Sequence, residues 1–198
     1  MGSFETARAF VALNVDVVGV RRLLDAVSAL RKLPEAPELR WVAPPRMHVT
    51  LKFLGDIDVG VVPLLVERLS GVASGHAPPR LVFTRFGAFP TTDAARVVFA
   101  EPDDGGATDG LATAVDMACA ELGFPRETRP FHAHLTVARS SSPVAVTDWL
   151  ARGEPWRVSS KASELVLYRS EVGKRDVEYE ALGRLPFGFA DRPSMPTL

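Results

Sequence analysis

The sequence predicts an α+β fold of two pseudo-symmetric lobes, each an antiparallel sheet with helices outside, around a central cleft. Three observations carry that prediction. Short apolar, β-branched runs alternate with segments of helical periodicity along the chain. The order strand, helix, strand, helix, strand occurs in both halves, and His48-Val49-Thr50-Leu51 reappears as His134-Leu135-Thr136-Val137. The spacing repeats as well: Val11 to His48 and Val97 to His134 are each 37 residues. Identity between the halves is otherwise slight, so the layout repeats rather than the sequence, as expected for lobes related by a pseudo-two-fold.

The elements follow in order. Arg8 to Leu13 is the first strand, and Asn14 or Asp16 can cap the helix that runs on to about Lys32. Leu23, Leu24, Val27 and Leu30 recur there at helical spacing, and Pro34 and Pro37 enforce a loop. Met47 to Leu54 reads as a strand closed by Gly55-Asp56, and 59–70 as a helix with Leu64, Leu65 and Leu69 toward the core. After the breaker-rich stretch from Gly71 to Pro79, in which His76 is read as exposed and idle, Leu81 to Phe89 and Ala95 to Ala100 are strands. Asp103 to Gly106 is a turn, and a helix over 108–122 turns Leu111, Val115 and Leu122 inward before Gly123 stops it. The strand with the second His-Thr pair follows Pro130, then a short helix near Val144 to Leu150. Strands are expected near Trp156 to Val158, Glu164 to Tyr168 and Val177 to Leu182. One bilobal domain over 7–183 and a C-terminal tail over 184–198 complete the expectation.

Composition narrows the function. At 198 residues the chain can bury one sizeable core or two small lobes sharing one. A 46% hydrophobic and 24% charged composition with a net charge of -1 describes a soluble protein without a broad basic surface. Contact with nucleic acid is therefore expected only inside a cleft. The single cysteine, Cys119, excludes an internal disulfide and fits a reducing cytoplasm. No apolar stretch approaches the roughly 20 residues that cross a bilayer, and no cleavable signal opens the chain. Met1-Gly2 with Thr6 fits a loose acylation pattern, but a short leader before Arg8 is the simpler reading. A cytoplasmic monomer without a membrane partner is expected.

The repeated quartets carry the chemistry. On a strand, residues two apart share a face, so each copy presents an imidazole beside a hydroxyl while its alternate residues pack. Two such strands facing one another supply two proton-transfer groups and two hydroxyl donors around one cleft. Histidine, with a reference pKa near 6.5, can act as base or acid near neutrality, and hydroxyls can hold phosphoryl oxygens. That set suits metal-free opening of a cyclic phosphodiester. Arg46 and Lys52 share the parity of His48 and Thr50, and His132 shares that of His134 and Thr136. Arg129 and Arg139 bracket the second strand and either receive a phosphate or stay solvated. Phe131 falls on the core side. A metal site from His48, His132 and His134 is the competing reading, weakened because no Asp, Glu or Cys ligand accompanies them.

At these residues the chain resembles the 2H phosphoesterase superfamily, and within it the RNA 2',3'-cyclic phosphodiesterases, long called 2'-5' RNA ligases. The matching stretches are Arg8 to Leu13, Leu39 to Val42, Met47 to Gly55, Phe86 to Pro90, Leu122 to Phe124, Arg129 to Phe131 and His134 to Arg139. The resemblance implies a bilobal α+β fold, no metal or organic cofactor, and hydrolysis of RNA 2',3'-cyclic phosphate ends to 2'-phosphates. It implies His48 as proton donor, His134 as proton acceptor, and Thr50 and Thr136 as phosphate-binding residues. The alternatives it leaves are 2'-5' joining of tRNA halves, opening of another cyclic nucleotide, or RNA-end binding without catalysis. The chain departs from the family at His132-Ala133, where a basic residue and proline are common. His132 either replaces that basic group or fills space.

Overall fold

The computed structural model describes residues 5–34, 36–153, 155–173 and 177–188. The acylation pattern at Met1-Gly2 and most of the expected tail lie outside the described residues. Among the described residues eight strands form: β1 (Thr6–Val15), β2 (Arg40–Trp41), β3 (His48–Asp58), β4 (Arg80–Phe89), β5 (Ala95–Asp103), β6 (Leu135–Val144), β7 (Val158–Val172) and β8 (Val177–Leu185). Four α-helices join them: α1 (Val17–Arg31), α2 (Val62–Ser74), α3 (Ala107–Ala120) and α4 (Thr147–Ala151).

The strands pair antiparallel throughout, and the pairings close a ring: β1–β3–β6–β5–β4–β7 and back to β1. Exchanging β1 with β5, β3 with β6 and β7 with β4 leaves that ring unchanged, which is the two-fold layout the sequence repeat predicts. One lobe is β3–β1–β7–β8 and the other β2–β6–β5–β4. They join at two seams. The β4–β7 seam has four paired positions, from Arg80↔Lys161 to Phe83↔Val158, whereas the β3–β6 seam has one, Val49↔Leu135.

Two expected strands, near Trp156 to Val158 and Glu164 to Tyr168, are one continuous β7. The polar run Ser159 to Ser163 looks like a break in sequence, yet its polar groups find partners in the fold. Ser160 Oγ donates to Asp16 Oδ2 at 2.6 Å, and the Lys161 amide donates to the same oxygen at 3.0 Å. Asp16 also caps α1 by accepting from the Gly19 amide at 2.7 Å, an interaction worth about 1 kcal/mol. Ser160 comes so close that a Cβ on Gly19 would lie 2.0 Å from its Oγ, so no side chain fits there.

Val11, Leu13, Val49, Leu135, Leu165 and Leu167 are fully buried in the main core. Phe10, Ala12, Val166 and Tyr168 form a separate buried cluster on the opposite face of β1 and β7. Burial on both faces of β1 explains why its sequence is a continuous apolar run rather than an alternating one. His76 is not idle: its Nδ1–H donates to the Val72 carbonyl at 2.7 Å, closing the end of α2. β8 continues to Leu185, which is buried, and the Gly188 amide donates to Ala73 O and His76 O, each at 3.1 Å. No described helix is long and apolar enough to cross a membrane.

Candidate active site

The single Val49↔Leu135 pair organises the site. Both side chains are fully buried, so their chain neighbours point the other way, off the core and into the cleft. Extending that antiparallel register by one residue sets His48 against Thr136 and Thr50 against His134. The imidazoles occupy one diagonal and the hydroxyls the other. Diagonal neighbours across a ladder stand roughly 7–8 Å apart, which leaves room for one phosphoryl group between the rings. All four residues line one cavity of about 280 Å³, with Arg40, Trp41, Val42, Arg46, Phe53, Arg139, Val177 and Tyr179 around them.

Each ring is anchored from two residues back. His134 Nδ1–H donates to the His132 carbonyl at 2.8 Å, so in the neutral ring Nε2 carries the lone pair. His48 hydrogen-bonds the Arg46 backbone, and its Nε2 lies 3.1 Å from Thr50 Oγ1. Aromatic walls flank both. Phe10, Tyr179 and Tyr168 have ring centroids 5.1, 5.4 and 6.0 Å from His48, and Phe89 and Phe99 meet His134 edge-on at 5.0 and 5.5 Å. A Cβ on Gly87 would lie 2.7 Å from the Phe99 ring, so glycine is what lets that wall sit there.

Burial dominates the electrostatics. It pushes the His48 ring down to about 4, with the Arg139 and His134 charges adding and the Arg46 backbone bond opposing. His134 is lowered chiefly by burial too, helped by His132 and Arg139 and opposed by its own backbone bond. Both rings are therefore neutral acceptors at pH 7 in the unliganded protein. Arg40 and Arg139 are paired across β2 and β6, and Arg46 Nη1 donates to the Val177 carbonyl at 3.1 Å. Three guanidinium groups thus border the cavity.

The cavity gathers His48, Thr50, His134, Thr136, Arg46 and Arg139 of the residues expected at the site. Lys52 does not join them. Thr50 and Lys52 pair with the consecutive residues Ala12 and Val11, so Leu51 is an extra residue, and this bulge resets the alternation. Lys52 turns inward, where Nζ donates to Asp116 Oδ1 at 2.6 Å and to Pro125 O at 2.8 Å. Phe53 takes the cleft side instead and is 73% exposed.

Burial works against the Asp116 carboxylate, but hydrogen bonds from Lys52, Arg126 and the Glu127 amide hold its pKa below the usual range. Asp116 thereby ties the loop that leads into His134 to β3 and α3. Arg129 is 84% exposed and pairs with Glu127 at 3.3 Å. His132 meets Phe89 and Phe99 edge-on, with Nε2 3.7 Å from Glu101 Oε1. Lys52, Arg129 and His132 all border a second hollow beside the cavity.

Sequence reasoning assigned no role to Phe53, Arg40, Trp41 or Tyr179. Arg40-Trp41 stood in a matching stretch without chemistry attached, and Tyr179 reaches His48 only through the β7–β8 pairing. Cys119 is buried, and burial raises its thiol to about 11, which removes it from nucleophilic chemistry. Among the described residues no three His, Cys, Asp or Glu side chains converge to hold a metal ion.

Known proteins resemble this chain in both sequence and fold. Residues 15–99 match the family described as LigT like phosphoesterase. An RNA 2',3'-cyclic phosphodiesterase of Methanothermobacter thermautotrophicus is 31% identical over 170 residues, covering 83% of this chain and 90% of that one. One of Geobacillus stearothermophilus is 32% identical over 156 residues, or 76% of this chain, but the match spans only 48%, about half, of its length. A solved structure from Thermus thermophilus superposes with a TM-score of 0.75 at 25% identity, covering 91% of this chain and 97% of that one. The structure of E. coli LigT complexed with 3'-AMP gives 0.61 at 25% identity, covering 92% and 99%.

Proposed function

Because the chain belongs to the LigT-like RNA 2',3'-cyclic phosphodiesterase family of 2H phosphoesterases, we propose that it hydrolyses RNA 2',3'-cyclic phosphate ends to 2'-phosphomonoesters in the cytoplasm, without a metal or organic cofactor. The observation that carries this reading is the convergence of both His-Thr pairs on one cavity. His134 is the general base. Its Nδ1–H is committed to the His132 carbonyl, so the Nε2 lone pair takes a proton from water as the water oxygen bonds to phosphorus. The P–O3' bond breaks and His48 protonates the departing oxygen, leaving a 3'-hydroxyl and a 2'-phosphate. Thr50, Thr136 and the bordering guanidinium groups hold the phosphoryl oxygens as charge grows on them.

His48 must carry a proton to act as the acid, and burial opposes that in the unliganded protein. The incoming phosphodiester supplies the missing partner: its negative charge favours the imidazolium in the same enclosed space. Substrate binding and charging of the acid are thus one event.

The test is turnover of a short RNA ending in a 2',3'-cyclic phosphate, with the product ester identified. Wild-type protein is expected to yield a 2'-phosphate at a rate indifferent to chelator. His48→Ala and His134→Ala are each expected to lose about 10²–10⁴-fold in kcat. Unchanged turnover in either variant, or loss of activity on chelation with recovery on adding metal, would overturn the proposal.

A further inference from the structure

Beside the catalytic cavity lies a larger hollow of about 490 Å³ that shares Thr50, Phe53 and His134 with it. A nucleotide whose phosphate sits between the two imidazoles therefore has this hollow as its immediate neighbour. Its apolar surface comes from Phe53, Phe89 and Phe131, and its rim carries Arg126 and Arg129. The Arg129–Glu127 pair is solvent-exposed on both sides, so it holds the guanidinium weakly and can be exchanged for another anion. Aromatic side chains with one exchangeable cation, Arg129, at the rim suit a heterocyclic base together with its linking phosphodiester. The catalytic cavity, at about 280 Å³, is just below the usual size of a small-molecule site, roughly 300–1,000 Å³, and its own flat groups, Trp41, Tyr179 and the arginines, serve the reacting nucleotide.

We infer that the second hollow binds the nucleotide immediately 5' of the reacting one, so that the protein selects RNA ends over free cyclic mononucleotides. This rests on the cyclic phosphodiesterase reading and adds to it a subsite for the neighbouring nucleotide. The reacting phosphate stays between the histidines, and the neighbouring base stacks on Phe53 and Phe131 with its linking phosphate at Arg129.

The experiment compares a nucleoside 2',3'-cyclic phosphate with a dinucleotide ending in the same cyclic phosphate. Wild-type kcat/KM is expected to favour the dinucleotide by roughly 5- to 150-fold, the range of stacking one base on an aromatic side chain. Thr113→Trp narrows the hollow from an exposed position on α3 and replaces no histidine or threonine of the pairs. It is expected to raise KM for the dinucleotide toward the mononucleotide value while kcat at saturation stays within about threefold. Arg129→Glu is expected to weaken the dinucleotide selectively, most strongly at low salt. The inference is overturned if wild type shows no dinucleotide preference, if Thr113→Trp leaves that preference intact, or if it raises KM equally for both substrates. If wild type turns over neither substrate, the cyclic phosphodiesterase reading itself fails.

Discussion

Acid should weaken this fold by way of His48, over a window the ring's environment defines. In the unfolded chain the imidazole titrates near 6.5, whereas in the fold burial holds it at about 4. Between those values the unfolded chain binds a proton that the native protein refuses, so stability falls as pH drops from about 6.5 to 4 and levels out on either side. At about 1.4 kcal/mol for each pH unit, the full loss is on the order of 3 kcal/mol. His48→Gln carries no titrating group at that position and should lack this component. The assay is urea denaturation of both proteins at half-unit intervals from pH 7.5 to 3.5. The stability difference between them should be flat above about 6.5 and shift by about 3 kcal/mol in the variant's favour by pH 4. Glu101 and Asp116 titrate in both proteins and cancel from the difference. Parallel curves across the whole range would refute the idea that the ring is buried and neutral.

Three further outcomes follow from the site. Adding a 2'-phosphorylated nucleotide should raise the His48 pKa above its unliganded value of about 4, seen as a displaced imidazole titration by NMR; an unmoved titration would separate the phosphate from that ring. On the proposed phosphate-holding role, Thr50→Val and Thr136→Val would each remove a donor to a charged oxygen, so kcat/KM should fall roughly 10- to 100-fold in steady-state assays, and a loss under threefold would exclude the phosphate contact. Lys52→Met strands Asp116 without its buried cation in a site where the two side chains are 6% and 12% exposed. Chemical denaturation should show a loss of about 3–5 kcal/mol, and a neutral result would mean that Arg126 alone satisfies the carboxylate.

Local signals were enough to read the elements of the fold and the centre of the site. Val49 and Leu135 were legible as core positions, and that alone placed His48, Thr50, His134 and Thr136 on the opposite face. The rest depended on pairing. Counting by twos from Thr50 assigns Lys52 to the cleft, but the bulge at Leu51 forms only because β1 lies alongside, and it hands the position to Phe53. Ser159 to Ser163 read as a break because their polar groups find partners far along the chain, at Arg80, Asp16 and Asn14. The walls of His48 likewise come from three separate strands, β1, β7 and β8. No window of sequence contains them.

The Val49–Leu135 pair has one more consequence. Side chains alternate across a strand, so slipping β3 by a single residue against a fixed β6 would drive His48 and Thr50 into hydrocarbon and turn Val49 out into the cleft. The same contact that seals the interior thus also proofreads the chemistry. A chain that has settled its hydrophobic packing has, in that act, already loaded its reactive groups on the working side.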